Sequence, residues 1–327
     1  KPVSPDAEGG LTLQELLDVG ATENANSLAD IGDRSGKEFQ IEKQLHAMME
    51  EWAEVVFEFP EQYRNTGTYI LKGADDVMNL LDEQIVMVQA MQFSPFNGPF
   101  KEEIDEWADK LAYVSDCLEE WLKVQRAWMY LAPIFDSPDI MKQLPAEGKR
   151  FKSVDLLWRK QMDRAVKYPS ALEQCSTDGL KEKWTNANNE LEKVQKGLED
   201  YLETKRAAFA RFFFLSNDEL LEILSQTKDP TRVQPFLCKV FEAIKKLTFQ
   251  EDLSVTQMIS AEGEVIDFTE PRYTANKNVE QWMTEVEIEM CHAVRNVFKI
   301  SVETYPVTKR ADWVLQNAGQ VQENVLG

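Results

Sequence analysis

Residues 178–227 read DGLKEKWTNANNELEKVQKGLEDYLETKRAAFARFFFLSNDELLEILSQT, and this stretch decides the fold. Its heptad positions, Leu180, Trp184, Ala187, Leu191, Val194, Leu198, Tyr201, Lys205, Ala208 and Phe212, nearly all apolar, alternate in steps of three and four. That period puts one seam along a single helix of nearly forty residues, a rod of roughly 55 Å. The rod runs into Phe212-Phe213-Phe214-Leu215, whose rings are expected in the core of a helix junction. Ser216 can accept from the Glu219 amide while Glu219 reaches back to Ser216, a reciprocal cap that starts a second helix. Leu220, Leu221, Ile223 and Leu224 give that helix its packing face.

Outward from this stretch the same period recurs. Residues 1–35 are polar apart from a short amphipathic piece at Leu11, Leu13, Leu16 and Leu17. Ile41, Leu45, Met48, Trp52, Val55 and Phe59 predict a helix stopped by Pro60, and Tyr69-Ile70-Leu71 an extended turn before Gly73. Val77, Leu81, Ile85, Val88 and Met91 mark the next helix, and Phe93 to Pro99 a loop. Ile104, Trp107, Leu111, Val114, Leu118, Trp121, Gln125 and Trp128 form a second long seam. Ser137 before Pro138 starts a short helix ending near Pro145, and Phe151, Val154, Trp158, Met162 and Ala165 carry one stopped by Pro169. Val233, Phe236, Leu237, Val240, Phe241 and Ile244 predict a helix that breaks near Phe249.

The periodicity then changes. Runs 255–260 and 265–269 are rich in β-branched residues and flank Ala261-Glu262-Gly263-Glu264, a hairpin in which Gly263 supplies the turn. Asn278 and Gln281 cap a last long helix with the seam Val279, Trp282, Val286, Met290, Ala293, Val297 and Ile300. The expected fold is mainly α: an elongated stack of antiparallel helical bundles with one β-hairpin. Its expected divisions are a polar segment over 1–35, helical bundles over 36–170, the central long helix and junction over 171–250, and hairpin with final helices over 251–327.

Composition excludes several functions. The 327 residues are 43% apolar, with eight Trp and seventeen Phe, enough for two or three packed cores. A net charge of -21 disfavours nucleic acid and other acidic polymers, whose affinity comes from Lys and Arg releasing counterions. Cys117, Cys175, Cys238 and Cys291 show no metal-ligand spacing, and no glycosylation acceptor is present, which points to a reducing, intracellular compartment. No apolar run reaches membrane-span length, and the start at Lys1 without a signal-like segment suggests a piece of something longer. Gly36-Lys37-Glu38 and Gly148-Lys149-Arg150 lack the upstream glycine and the hydroxyl of a phosphate loop. His46 and His292 have no ligand-spaced partner, and carboxylate pairs such as Glu119-Glu120 read as solvated helix faces. No catalytic, metal or cofactor residue is expected here.

Residues 211–227, RFFFLSNDELLEILSQT, resemble a signature of dynein heavy chains, in the linker that precedes the AAA+ motor ring. Upstream, Trp121, Gln125, Trp128, Pro133-Ile134-Phe135, Asp139-Ile140, Leu144-Pro145, Val154-Asp155 and Trp158 follow the family's order. Downstream, Val233-Gln234-Pro235, Phe241-Glu242-Ala243-Ile244, Glu262-Gly263-Glu264 and Val279-Glu280-Gln281-Trp282 do so too, and the likeness covers about 36–315. Phe236 stands where many members have His, and Asn317-Ala318-Gly319-Gln320-Val321 is similar to a Pro-Gly-Gln-Val turn without its proline. The surroundings of Lys149-Arg150-Phe151 and Trp158 resemble axonemal rather than cytoplasmic members.

The resemblance implies a mechanical lever, bent and straight by turns during the ATP cycle, that converts hydrolysis in the neighbouring ring into microtubule-based movement. ATP and Mg would be held in that ring, not in this segment. The implied partners are the heavy chain's own AAA+ ring and, through a tail, other dynein subunits. The microtubule is touched only indirectly, and nucleic acid and membrane not at all. The implied location is the cytoskeleton, in the axoneme of a cilium or flagellum, otherwise the cytoplasm. Bending should concentrate at element ends, so Phe212, Phe213, Phe214, Ser216, Glu219, Pro230 and Pro235 are candidate hinge residues. Glu262, Gly263 and Glu264 form a candidate projection that docks on the ring. A passive helical scaffold or adaptor is the rival reading, which a fixed-period repeat would favour and the hairpin disfavours.

Overall fold

The computed structural model describes residues 12–18, 20–59, 62–225 and 229–321. Leu11 of the N-terminal amphipathic piece, Pro60, and Gln226 to Lys228, just ahead of the candidate hinge residue Pro230, lie outside them, as do the side chains of Leu13 and Leu16. The chain runs through α1 (Leu13–Asp18), α2 (Ala25–Glu54), α3 (Ala74–Gln92), α4 (Lys101–Phe135), α5 (Pro138–Gln143), α6 (Pro145–Lys167), α7 (Ala171–Cys175) and α8 (Leu180–Ala208). After a 3-10 turn at Ala210–Phe214 come α9 (Asn217–Ser225), a second 3-10 turn at Pro230–Phe236 and α10 (Leu237–Val240). Strands β1 (Ile244–Phe249), β2 (Ser254–Ser260) and β3 (Val265–Tyr273) follow, then α11 (Val279–Thr304) and α12 (Arg310–Gln316). The fold is mainly α, with one small antiparallel sheet.

Two compact units divide the chain: Lys1–Ala127 with Leu156–Asn188, and Trp128–Asp155 with Asn189–Gly327. In the first, the predicted seam of α4 is buried from Ile104 through Trp121, and Leu45, Met48 and Trp52 of α2 are buried too. Helix α2 ends at Glu54, short of the predicted Phe59, because Val55 turns extended and Val56 and Glu58 bridge Ser170 and Lys72. Phe57 thereby swings inward to meet Trp121 edge-on at 5.5 Å. Gln125, inside the apolar seam, donates to the Leu71 carbonyl (3.0 Å) and accepts from its amide (2.8 Å). One buried carboxamide thus satisfies both backbone groups of a non-helical residue that would otherwise be orphaned.

In the second unit the sheet has order β1-β2-β3, so the expected hairpin gains a strand in front. The predicted helix from Val233 to Ile244 is corrected accordingly. Pro235 lies inside a 3-10 turn, α10 lasts one turn, and Phe241 is extended, which frees Ile244 to open β1 against Ser260. The 3-4 spacing was met, but Ile244-Lys245-Lys246-Leu247-Thr248-Phe249 gains more from ladder pairing than from continued helix. Helix α11 packs on β3. Its seam is buried at Val279, Trp282, Val286 and Ala293 and fades at Val297 and Ile300. Asn278 and Gln281 cap it as expected, the Gln281 carboxamide accepting from the Asn278 amide at 3.2 Å.

Candidate functional site

The predicted forty-residue rod breaks at Phe209, whose backbone is extended, so α8 stops at Ala208 and Phe212 belongs to a 3-10 turn. A straight helix drifts against a strict heptad, and after Leu198 the buried face moves to Leu202, Arg206 and Phe209, leaving Ala208 exposed. Phe209 and Phe212 meet edge-on at 4.9 Å in the core. Phe213 and Phe214 do not follow them: they are 60% and 67% exposed, which corrects the expectation of an all-core aromatic run. The tight turn projects consecutive side chains in different directions, so only one of three adjacent rings points inward.

Arg206, buried and unforeseen, fixes this turn from below. It donates to the Leu215 carbonyl (3.1 Å) and to Asn217 Oδ1 (2.9 Å), and its guanidinium lies 5.9 Å from the Phe213 ring. The capping box of α9 is present: the Ser216 amide donates to Glu219 (3.0 Å) and Ser216 Oγ accepts from the Glu219 amide (3.3 Å). Lys239 of α10 also pairs with Glu219, and with the Ser216 amide it holds that carboxyl below the ordinary carboxylate range. Ser216→Ala should cost about 1 kcal/mol, read as a lower urea midpoint at unchanged slope; an unchanged midpoint would deny the cap any role.

Helix α11 grips the same region through acids seven residues apart. Glu280 accepts from Lys205 at 2.5 Å with both side chains largely buried, and Glu287 accepts from Arg211 at 2.7 Å. Burial, helped by the Glu280 charge, pushes the Tyr201 phenol up to about 12. Arg211 also lies 5.0 Å over the Phe241 ring and donates to the Val240 carbonyl. Neither ion pair to α11 was legible, because its partners are 75 and 76 residues apart. The seven-residue spacing of Glu280 and Glu287, which sets them on one face of α11, was the available signal.

At the hairpin, Gly263 is left-handed (φ 92°) as its turn requires, and its amide bonds the Ser260 carbonyl at 3.3 Å. Glu264 is engaged: Gln320 donates to it at 3.0 Å, and a Cβ at Gly319 would stand 2.5 Å from its carboxylate. Gly319 therefore permits the C-terminal turn Ala318–Gln320 to close over the hairpin. Gly319→Val should displace Glu264 and raise amide exchange at 261–264 several-fold, with α11 unaffected; unchanged exchange would mean the contact holds nothing. Pro230 is buried. Pro235 and Gly263 come together in a groove of about 510 Å³, shared with Gln234, Lys245, Lys246, Ile259, Ser260 and Ala261.

Among the described residues no group of three or more His, Cys, Asp and Glu side chains is placed to hold a metal ion. No described helix is long and apolar enough to cross a membrane. His46 lies 3.6 Å from Glu103, and His292 3.8 Å from Glu289.

Residues 1–301 match the family model for the dynein heavy chain, N-terminal region 2. The chain is 46% identical over 314 residues, 96% of its length, to dynein axonemal heavy chain 1 of Mus musculus, of which it covers 7%. It is 44% identical over 321 residues (98% of the chain, 10% of the relative) to dynein axonemal heavy chain 12 of Rattus norvegicus. Against dynein axonemal heavy chain 3 of Homo sapiens it is 45% identical over 311 residues (94% of the chain, 8% of the relative). It thus spans a tenth or less of these relatives.

Proposed function

The chain belongs to the dynein heavy chain family, and on that premise we propose that it is the mechanical linker of such a heavy chain. It changes between bent and straight forms and passes the ATP cycle of a neighbouring AAA+ ring into microtubule-based movement. The observation that carries this reading is the family match over residues 1–301 on a helix-rich, closely packed scaffold. Packed helices resist compression, so motion concentrates at element ends. The hinge is the turn from Phe212 to Glu219 or the connection that contains Pro230 and Pro235, and the ion pairs from Lys205 and Arg211 to α11 support placing it beyond them. In this reading ATP and Mg belong to the ring and the tail carries other subunits, and the relatives' names, all dynein axonemal heavy chains, support an axonemal location.

The hairpin at Glu262, Gly263 and Glu264 serves, in this reading, as a projection that touches the ring in one form only. A contact made equally in both forms shifts no equilibrium. The test is energy transfer in the full-length heavy chain between a dye at Glu262→Cys and one on the ring, with the exposed Cys238 and Cys291 replaced by Ser. Transfer should differ between nucleotide-free and ATP-bound states. Equal transfer in every nucleotide state would overturn the lever.

A further inference from the structure

The break at the end of α8 carries an inference that rests on the lever reading above. Lys205 stands before the extended Phe209 and Arg211 after it, and α11 holds both, through Glu280 at 2.5 Å and Glu287 at 2.7 Å. Those two acids are seven residues apart on one unbroken helix, about 10 Å along its axis. Helix α11 therefore lies across the break as a splint, and bending at the turn has to part at least one pair. The Lys205–Glu280 pair is the harder to part. Its side chains are 11% and 10% exposed, so little water is at hand to replace either partner.

The turn is also tied from within. Arg206, itself buried, joins the last turn of α8 to the residues beyond the break, because the same guanidinium nitrogen donates to the Leu215 carbonyl and to Asn217 Oδ1. The backbone has partners throughout. The Phe212 and Leu215 amides bond the Phe209 and Phe212 carbonyls, and the Ser216, Glu219 and Leu220 amides are taken up by the cap. A hinge absorbs its motion in a few backbone torsions, and segments that open readily have few buried contacts and exposed hydrogen bonds. Here Phe209, Phe212 and Leu215 are buried, and a buried charge closes the loop behind them.

We infer that Phe209 to Leu220 is a locked corner, tied by Arg206 and splinted by α11, which passes motion between α8 and α11 without bending itself. Of the two hinge sites in the lever reading, this removes the turn and leaves the connection that contains Pro230 and Pro235. In the full-length heavy chain, amide exchange over 209–220 should agree within about twofold between nucleotide-free and ATP-bound states. A tenfold difference between those states overturns the locked corner. Arg206→Ala should raise exchange at Leu215 to Leu220 at least tenfold, with Arg206→Lys between it and wild type. A softened corner absorbs motion, so Arg206→Ala should also halve the nucleotide-dependent change in energy transfer at Glu262→Cys while ATP turnover persists. Exchange unmoved by Arg206→Ala overturns the tie, and faster exchange with the full transfer change overturns the passing of motion. Where Arg206→Ala does not fold, Asn217→Ala, which removes an exposed acceptor alone, should raise the same exchange at least threefold, and no rise overturns the tie. Failure of the lever shows as equal wild-type energy transfer in every nucleotide state, whereas failure of the corner shows in exchange, so the two are distinguishable.

Discussion

Replacing Glu289 with alanine is expected to destabilise the sheet-bearing unit by about 3–5 kcal/mol, the usual cost of stranding a buried charge and its donors. Glu289 projects from α11 and is 1% exposed. Its Oε1 accepts from the backbone amides of Thr269 (2.7 Å) and Glu270 (3.2 Å), and its Oε2 from Arg272. Those two amides lie on β3, an edge strand, and the next residue is Pro271, which has no amide to leave open. One carboxylate therefore closes one edge of the sheet, as the Gln234 carboxamide closes the other. Alanine leaves two amides and a guanidinium without their acceptor. Glutamine keeps the shape and one acceptor, and should cost less, about 1–3 kcal/mol.

The pH dependence follows from the same contacts. Burial works to raise the Glu289 pKa, but the hydrogen bonds from Arg272 and from the Glu270 and Thr269 amides outweigh it and hold the carboxyl below its ordinary value. A carboxyl lowered on folding contributes stability above its unfolded pKa, about 4.3. That contribution is lost as pH falls through the lower folded value. Wild type should lose sheet stability on acidification below about pH 4.3, and Glu289→Gln should lose less. Amide exchange across Val265–Tyr273 is the measurement, since a chain of two units need not unfold in one step. An alanine variant within 1 kcal/mol of wild type, or a glutamine variant with the same acid slope, would refute the edge-closing role.

How much of this was legible depends on the range of the signal. The seams of α4 and α8, the cap at Ser216 and Glu219, and the turn at Gly263 are set by residues within a few positions of one another, and periodicity reports them. The stop of α8 at Phe209 was hidden because Phe212 fits both a continued seam and a 3-10 turn. The first strand was hidden because Leu237, Val240, Phe241 and Ile244 have helical spacing, and only pairing with β2 decides against it. Of the candidate site, sequence pointed to the aromatic turn and the hairpin. It missed Arg206 and Glu289, and it gave no contact to Lys205 of the seam or to Gln234 and Glu280 of the family-like motifs, polar residues whose roles exist only once distant elements pack. Lysine, arginine and glutamate on helices read by default as solvated faces.

Trp184→Ala should be the other severe substitution, costing about 3–5 kcal/mol in the unit that contains it. Trp184 of α8 is fully buried, stacked on Trp121 of α4 at 5.3 Å and tilted against Trp158 of α6 at 5.9 Å, while Trp121 meets Phe57. Three helices thus share one aromatic centre, and alanine there opens a cavity that rigid helices close only partly. The indole N–H groups of Trp121 and Trp184 are buried without a hydrogen-bond partner, so phenylalanine forfeits volume and no hydrogen bond. Trp184→Phe should therefore cost about 1.5 kcal/mol or less. The double variant W121A/W184A should fall short of additivity, because each single change already breaks the stack. Urea titration with exchange at 180–188 reads the stability. For the lever proposed above, stiffness would matter beyond stability, since an internal void yields under load before the chain unfolds. In the full-length heavy chain at a temperature where Trp184→Ala stays folded, stall force should drop while ATP turnover persists, and Trp184→Phe should keep both. Unchanged stall force in the folded alanine variant would show that this aromatic centre supports the fold and carries no load.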